Sequence, residues 1–263
     1  MRARAVAPAI MLAVPLLAAV LGPLLAGAVT AADGPPYAPA GGSYPLGTDG
    51  LGRDVLGVLL RGGGSTLVVA IGAVAVAYLL GGAAGLIAAS ARRRAVDEAL
   101  LRPLDILLAV PSLLLISVVA VWWRAEAWAI GLIVAVLHAP ATARLVRAAA
   151  LDAASGPVAE ALALQGEPWW RIQLGYVRRA VLRPVAADVG TRVTAAVYLI
   201  ASVNFLGLGL DPTSADWAVA IAHNRGALLL QPWSVLAPAA MIVLFTVGLN
   251  LLWDTMTDST AAR

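Results

Sequence analysis

The sequence predicts an all-α integral membrane protein with about six membrane-spanning helices. Of its 263 residues, 61% are hydrophobic and 13% are charged, and the mean hydropathy is +0.87. A soluble domain carries about 25% charged residues. A helix needs about 20 mainly apolar residues to cross the hydrocarbon core of a membrane. Six stretches meet this condition: residues 8–29, 65–90, 102–123, 127–148, 184–206 and 234–253.

The first apolar stretch has two interpretations. Its basic start, apolar core and small residues before Asp33 are typical of a cleavable signal peptide. The apolar part is long for a signal peptide, however, and this favours a retained helix within residues 1–30. Residues 31–64 are rich in Pro and Gly and predict an extracytoplasmic loop. Residues 65–263 then form a core domain that contains the other five spans.

The arginines predict the orientation in the membrane. All 18 basic residues are Arg. With the N-terminus in the cytoplasm, thirteen lie inside or at the inner ends of spans: Arg2, Arg4, Arg92, Arg93, Arg94, Arg102, Arg144, Arg147, Arg171, Arg178, Arg179, Arg183 and Arg263. Four lie outside, namely Arg53, Arg61, Arg124 and Arg225, and Arg192 falls within the fifth span. Because cytoplasmic loops carry an excess of Arg, both termini are expected inside. The same loops explain the pI of 9.8 without a nucleic-acid partner.

The residue types that the sequence lacks exclude several functions. A P-loop requires a Gly-Lys-Ser/Thr step, and a chain without Lys cannot be a P-loop ATPase by itself. The absence of Cys excludes disulfides and thiolate metal sites. The two histidines, His138 and His223, have no metal-ligand spacing, and no nucleophile–base pair is evident. A membrane enzyme therefore finds little support, and we predict neither a catalytic nor a metal site.

The cytoplasmic loop at about residues 152–180 predicts a helix, a turn and a second helix. Good helix formers follow Glu160, and Gly166 and Pro168 then break the helix. Trp169 and Trp170 begin a second, amphipathic segment. Such a segment can lie on the membrane surface, pack against its own bundle, or be presented to a cytoplasmic partner. Composition alone leaves these three uses open.

Asp105, Asp188 and Arg192 fall within predicted spans, where a charge is costly unless it faces a partner or a watery path. Asp105 lies near the start of the third span and can reach the interface or pair with Arg102. Asp188 and Arg192 are four residues apart and share one face of the fifth span. They form either a structural ion pair or a pair that lines a pore or a subunit interface.

The outer loop before the second span combines turns with charges. Its glycines, Gly47, Gly50 and Gly52, permit tight turns. Three charged residues, Asp49, Arg53 and Asp54, are placed to pair with one another and to pin the loop at the outer mouth of the bundle. We expect them to have a structural role and not to contact a substrate.

Two motifs resemble the permease subunits of ABC importers. The stretch YPLGTDGLGRDVLGVLLRGGGSTLVV, residues 44–69, resembles the segment before the second span in C-type permeases of dipeptide and oligopeptide importers. The matching residues are Gly47, Thr48, Asp49, Gly52, Arg53 and Asp54. The stretch EALALQG resembles the family's coupling segment at Glu160, Ala161 and Gly166, although Leu162 replaces an Ala. With NFLGLGLDPTSADWAVAI after the fifth span, the resemblance covers about residues 40–258.

The resemblance implies a type I ABC importer permease fold with a cytoplasmic coupling helix. The chain would form half of the translocation pathway of an ATP-driven, binding-protein-dependent importer of dipeptides or oligopeptides in a bacterial cell membrane. Its partners would be a second, homologous permease, two cytoplasmic ATPase subunits and an extracytoplasmic peptide-binding protein, within membrane lipid. The chain itself would bind no cofactor, because ATP and Mg belong to the ATPase subunits.

The resemblance also assigns roles to residues. Contact with the ATPases is expected at Glu160, Ala161, Gly166, Trp169 and Trp170. From the residues themselves and not from the resemblance, Asp105, Asp188, Arg192 and Asn204 are candidates for the pathway or a subunit interface. The alternative function is a stand-alone secondary transporter or channel, which often has broken helices and ionisable groups at mid-membrane. Against it, few charges lie inside the spans, and the cytoplasmic helix–turn–helix segment would have no role.

Overall fold

The structure is a computed structural model that describes residues 2–91, 94–122, 126–211 and 213–261. Trp123 of the predicted third span and four of the arginines used for orientation, Arg92, Arg93, Arg124 and Arg263, lie outside the described residues. The described residues contain helices and turns and no strand beyond two isolated bridges. The prediction of an all-α fold is confirmed.

The described part of the chain contains ten α-helices and two short helical turns, joined by loops. The α-helices are α1 Arg2–Val29, α2 Val55–Ser90, α3 Arg94–Ala109, α4 Ser112–Trp122, α5 Ala127–Ala154, α6 Pro157–Leu164, α7 Trp169–Arg171, α8 Arg178–Phe205, α9 Trp217–Asn224 and α10 Trp233–Ala261. A π-helical turn, Ile172–Val177, joins α7 to α8, and a 3₁₀ turn, Arg225–Ala227, follows α9.

Five of these helical stretches are long and apolar enough to cross a membrane, and a sixth is a bent pair. The prediction of about six spans is confirmed in this sense. The third span, however, was expected to be continuous, and the structure bends it by 89° between α3 and α4. Pro111 lies at the bend. Pro has no backbone N–H to donate, and it disfavours helical geometry in the residue before it.

Two predicted spans begin earlier than expected. Helix α2 starts at Val55 and not at residue 65, because the Asp54 carboxylate accepts the backbone N–H of Leu56 at 3.0 Å and so caps the helix. With 36 residues, α2 is about 54 Å long, longer than the roughly 30 Å hydrocarbon core. The fifth span, expected from residue 184, is part of a longer helical stretch that runs from Trp169 to Phe205.

Helices α2 and α5 pack closely over most of their length. A Cβ atom at Gly81 would overlap the carbonyl oxygen of Ala139, and one at Gly85 would overlap that of Ala143. The Thr142 hydroxyl donates to the Ala77 carbonyl across the same contact at 3.0 Å. Small residues and interhelical hydrogen bonds are the usual means by which membrane helices associate. This pair forms the centre of the bundle.

The remaining spans surround this pair. Helix α1 packs against α10 and α2, while α8 packs against α2, α5 and α9. The largest apolar cluster lies between α2, α5, α8 and α10 and includes Ile130, Val134, Ile200 and Phe245. Helix α2 runs from its cap at Asp54 to Ser90. The outer loop before α2 and the loop at residues 152–180, which contacts Ser90, therefore lie at opposite ends of the bundle.

Candidate functional site

The elbow, which we define as residues 155–177, is fixed to the bundle by a small apolar anchor. Ala159 on α6 and Ile172 and Val177 on the π-turn are buried. They pack against Val146 and Ala150 near the end of α5. Ser90 at the end of α2 donates a hydrogen bond to the side chain of Gln173 at 3.3 Å. The elbow therefore lies against the ends of two central helices.

The opposite side of the elbow is exposed and largely apolar. All five residues predicted to contact the ATPases, Glu160, Ala161, Gly166, Trp169 and Trp170, lie on this exposed surface. Leu164 beside them is 83% exposed. An apolar patch outside the spans is typical of a protein or membrane interaction site. We call this patch the elbow surface.

A glycine closes the first helix of the elbow. Gly166 adopts a φ of +83°, a conformation that L side chains rarely take. Its N–H donates to Ala163, and the N–H of Glu167 donates to Leu162, which satisfies carbonyls at the end of α6 in the usual way. Arg171 pairs with Glu167 at 3.0 Å and lies over the Trp170 ring at 5.4 Å. These local contacts set the angle between α6 and α7.

The outer loop is held together by Asp49 and Arg53. Their side chains form an ion pair with an Nη2–Oδ2 distance of 2.7 Å, and Asp49 is almost fully buried. Arg53 also donates to the carbonyl of Thr213 at 2.6 Å. The Thr48 hydroxyl donates to Pro35 and accepts from the N–H of Ala38. This part of the loop is pinned as predicted.

The prediction that Asp49, Arg53 and Asp54 pair with one another is wrong for Asp54, which bonds to backbone N–H groups instead. Its Oδ1 caps α2, and its Oδ2 accepts the backbone N–H of Ala31 at 3.2 Å. A carboxylate that stands directly before a helix is drawn to the free N–H groups of the first turn. Asp54 therefore joins the end of α1 to the start of α2, while Arg53 turns to Asp49.

Two glycines of the outer loop occupy crowded positions with positive φ. Gly47 has a φ of +76° and Gly52 one of +80°. A Cβ atom at Gly47 would overlap the side chain of Gln231, and one at Gly52 would overlap the carbonyl of Gly34. Only glycine meets both the conformation and the space.

A buried aspartate that the sequence analysis missed connects two spans and the short helix α9 at the outer end. Asp216 accepts hydrogen bonds from the hydroxyls of Ser65 and Thr66 on α2, at 2.7 and 2.6 Å. It also accepts from the Asn204 amide at 3.2 Å and caps α9 through the N–H of Ala218. Asn204 is 2% exposed, which places it in this network and not on an open surface. The sequence signal was an Asp directly before the apolar run of α9.

The loop that leads to Asp216 contains one further electrostatic feature. Asp211 is exposed, and its Oδ1 accepts from the hydroxyl and the backbone N–H of Thr213. These two hydrogen bonds, the hydroxyl first, hold the pKa of Asp211 below its usual value, because they favour the charged form.

A charged cluster lies in the middle of the bundle. Arg192 donates from Nε to Oδ2 of Asp188 at 2.7 Å, and the Tyr78 hydroxyl donates to the same oxygen at 2.6 Å. His138 on α5 is buried nearby, and its Nε2 has no partner among the described residues. The predicted Asp188–Arg192 pair is therefore present, and Tyr78 joins it to α2.

Asp105 pairs with a different arginine from the one considered. Its Oδ1 accepts from Nη2 of Arg144 on α5 at 2.6 Å, and both side chains are about half exposed. Arg102 instead pairs with Glu98, one helical turn earlier, at 2.8 Å. The bend at Pro111 turns α3 away from α4, so that Asp105 comes within reach of the neighbouring helix.

An open groove of about 520 Å³ runs between α4, α8, α9 and α10. Its lining is apolar apart from the hydroxyls of Thr194, Tyr198, Ser202 and Thr246. Within the described residues, no group of three or more His, Asp or Glu side chains could hold a metal ion.

Residues 81–263 match the family described as binding-protein-dependent transport system inner membrane component. The match covers more than half of the chain. The chain belongs to this family. Membership agrees with the multi-pass helical architecture and confirms the predicted type I importer permease fold.

Curated relatives come from transport systems of the same kind. The chain is 29% identical over 220 residues to the probable D,D-dipeptide transport system permease protein DdpC of Escherichia coli (strain K12), which covers 84% of this chain and 74% of that protein. It is 31% identical over 222 residues to the di/tripeptide transport system permease protein DppC of Pseudomonas aeruginosa (strain UCBPP-PA14), covering 82% and 71%.

A third relative extends the match along the chain. The dipeptide transport system permease protein DppC of Alkalihalophilus pseudofirmus is 30% identical over 247 residues, which is 93% of this chain and 81% of that protein. The resemblance to permease subunits of dipeptide importers, first seen in the outer-loop and elbow motifs, is confirmed.

Proposed function

We propose that this chain is a permease subunit of an ATP-driven, binding-protein-dependent importer of short peptides. Family membership supports the role of a membrane component in a binding-protein-dependent system. The names of the relatives support the substrate class, since they refer to D,D-dipeptides, di/tripeptides, dipeptides and glutathione. All of these are short peptides with free carboxylates. The chain itself carries out no chemistry in this proposal.

The exposed elbow surface is the observation that carries the proposal. It lies outside the spans and shows apolar residues such as Leu164, Trp169 and Trp170 to its surroundings. A cytoplasmic ATPase subunit is the proposed partner, since a groove on such a subunit would bury these side chains. Glu160 at the edge of the surface would add a charged contact at the rim.

The elbow is also built to pass movement into the membrane. Its second half is continuous with α8, because the helical stretch from Trp169 runs without interruption to Phe205. Closure of two ATPase subunits on ATP binding would displace the elbow and, with it, the inner end of α8. A second, homologous permease would supply the other half of the pathway. The path would then switch between inward-facing and outward-facing states.

The proposal fixes the orientation of the chain. Both termini and the elbow are cytoplasmic, and the outer loop with the α9 region faces the extracytoplasmic binding protein. ATP and Mg are held by the ATPase subunits and not by this chain. The excess of Arg at the elbow end of the spans supports this orientation.

A cysteine crosslink tests the proposal directly, because the natural chain contains no Cys. Ala161→Cys would place a thiol on the elbow surface, and a second Cys would be placed in the groove of the neighbouring ATPase subunit. We expect a disulfide in membranes whose yield changes with ATP. The matched control is Ala159→Cys, two residues away but 4% exposed in the anchor, and we expect it to give no crosslink.

The opposite result would favour the alternative function. If no position from Glu160 to Trp170 forms a crosslink, the elbow lies on the membrane surface or against its own bundle. Uptake that persists without ATPase subunits and follows an ion gradient would then identify a stand-alone transporter. The charged cluster around Arg192 is the feature that such a transporter would use.

A further inference from the structure

The guanidinium group of Arg192 is bonded through Nε and exposed at its Nη edge. Its Nε donates to Asp188, and Asp188 is fixed in turn by the Tyr78 hydroxyl from the neighbouring helix. Among the described residues, neither Nη atom of Arg192 donates a hydrogen bond. The side chain is 23% exposed, and neither Nη atom is buried without a partner. The outer edge of the guanidinium group therefore reaches the surface of the chain.

The position of Arg192 makes this open edge significant. It lies halfway along α8, which spans Arg178–Phe205. A charged group at this depth is costly unless water or another polar group covers it. The ion pair with Asp188 satisfies Nε, and the Tyr78 hydroxyl lies close enough to interact with the guanidinium too, while its exposed Nη edge can take a further partner. The most stable surroundings of this edge are an anionic group or a water-filled path.

The exposed face of α8 next to Arg192 carries hydroxyl groups among apolar side chains. Thr191 and Tyr198 are exposed on it, and Ser202 is partly exposed. The exposed face of α1, in contrast, carries aliphatic residues such as Ile10, Leu17 and Leu24, as expected of a face toward lipid. The face of α8 therefore differs from that of α1 in offering hydroxyl groups beside the guanidinium.

We propose that Arg192, oriented by Asp188 and Tyr78, binds the carboxylate of the transported peptide as it passes mid-membrane. A guanidinium whose Nε is already engaged presents its two Nη groups as a fixed donor pair, which suits a carboxylate. The inference rests on the proposed function, because that function supplies a ligand with a terminal carboxylate. An acidic side chain of the second permease has the same chemistry, and the test separates the two sources.

The test pairs a side-chain change with a ligand change. The complete importer is reconstituted in liposomes with saturating binding protein, and ATP-driven uptake of trialanine and of trialanine amide is measured. Arg192→Gln should lower uptake of trialanine about tenfold or more, the effect of losing a charge-assisted hydrogen bond. Uptake of the amide, which has no carboxylate, should change less than twofold. Because the same binding protein delivers both peptides, its own preference cancels in the ratio of variant to wild type.

Two further variants control the measurement. Arg192→Lys keeps the charge but loses the fixed donor pair, and it should retain part of the preference for the free carboxylate. Arg102→Gln removes an exposed arginine that pairs with Glu98 at 2.8 Å, away from α8, and it should affect both peptides by the same factor. Co-purification of the second permease with Arg192→Gln is measured alongside.

Each other result overturns the inference in a distinct way. An equal fall for both peptides, or loss of the second permease on purification, would assign Arg192 to packing or to the subunit interface. Unchanged uptake of both peptides would show that Arg192 contacts no ligand. Absence of ATP-driven peptide uptake by the wild type would count against the proposed function itself and would remove the ligand assumed here.

Discussion

The outer end of the bundle and the elbow are held in different ways. At the outer end, polar groups from distant parts of the chain bond to each other: the Gly50 N–H donates to Asn224 at 2.8 Å, and the Gln231 amide donates to Ala38 at 2.7 Å. The elbow is held mainly by apolar contacts of Ala159, Ile172 and Val177. Hydrogen bonds require one geometry, while apolar contacts are non-directional. The outer end is therefore a fixed frame, and the elbow is a connection that can shift.

The largest effect is expected at the centre of the outer frame. Asp216→Ala would leave the buried donors of Thr66 and Asn204 without this acceptor, and it should destabilise the protein by about 3–4 kcal/mol. A lower midpoint of thermal unfolding in detergent would show this. Asp211→Ala is the matched control, an exposed carboxylate on the same loop, and it should not shift the midpoint measurably. Equal midpoints for the two variants would contradict the comparison.

A pair of glycines tests the same contrast on a smaller scale. Gly47 and Gly166 both have positive φ, but a Cβ atom would overlap Gln231 at Gly47 and would meet nothing within 4 Å at Gly166. Gly47→Ala should therefore cost about 2–4 kcal/mol, from overlap and backbone strain together. Gly166→Ala should cost about 1–2 kcal/mol, from backbone strain alone. Thermal unfolding of both variants shows which substitution lowers the free energy of unfolding more. A larger cost at Gly166 would show that the elbow is the more rigid region.

The smallest effect on stability is expected on the elbow surface, where the effect on transport is large. Glu160→Arg reverses an exposed charge and should leave the unfolding midpoint unchanged. Uptake should fall about tenfold, equivalent to about 1.4 kcal/mol, while ATP hydrolysis continues.

Gly166→Pro should uncouple hydrolysis from uptake in the same way, because Pro cannot adopt the positive φ of this turn. Normal uptake by an assembled Gly166→Pro importer would count heavily against coupling through the elbow.

The sequence predicted features that depend on near neighbours in the chain. The spans followed from hydropathy, the turn at Gly166 from a single residue, and the Asp49–Arg53 and Asp188–Arg192 pairs from a spacing of four residues. Each of these is decided within one helix or one turn. Local chemistry is therefore enough to find them.

The features that the sequence did not predict join segments far apart in the chain. Asp105 binds Arg144 on another helix, and Tyr78 binds Asp188 across 110 residues. Nothing in the flanking residues marks such partners. The bend at Pro111 was missed because residues 106–110 before it and 113–116 after it are all apolar, so hydropathy shows one span where the chain forms two helices.

The helical stretch from Trp169 to Phe205, which contains the π-turn Ile172–Val177 and Pro184, has a mechanical consequence. Its 37 residues extend about 55 Å at 1.5 Å per residue. If this stretch tilts as one body by about 5° about its Trp169 end, its far end at Phe205 moves sideways by roughly 5 Å, close to one helical pitch. A small rotation at the tryptophans is therefore enough to change the width of the open groove that Phe205 lines.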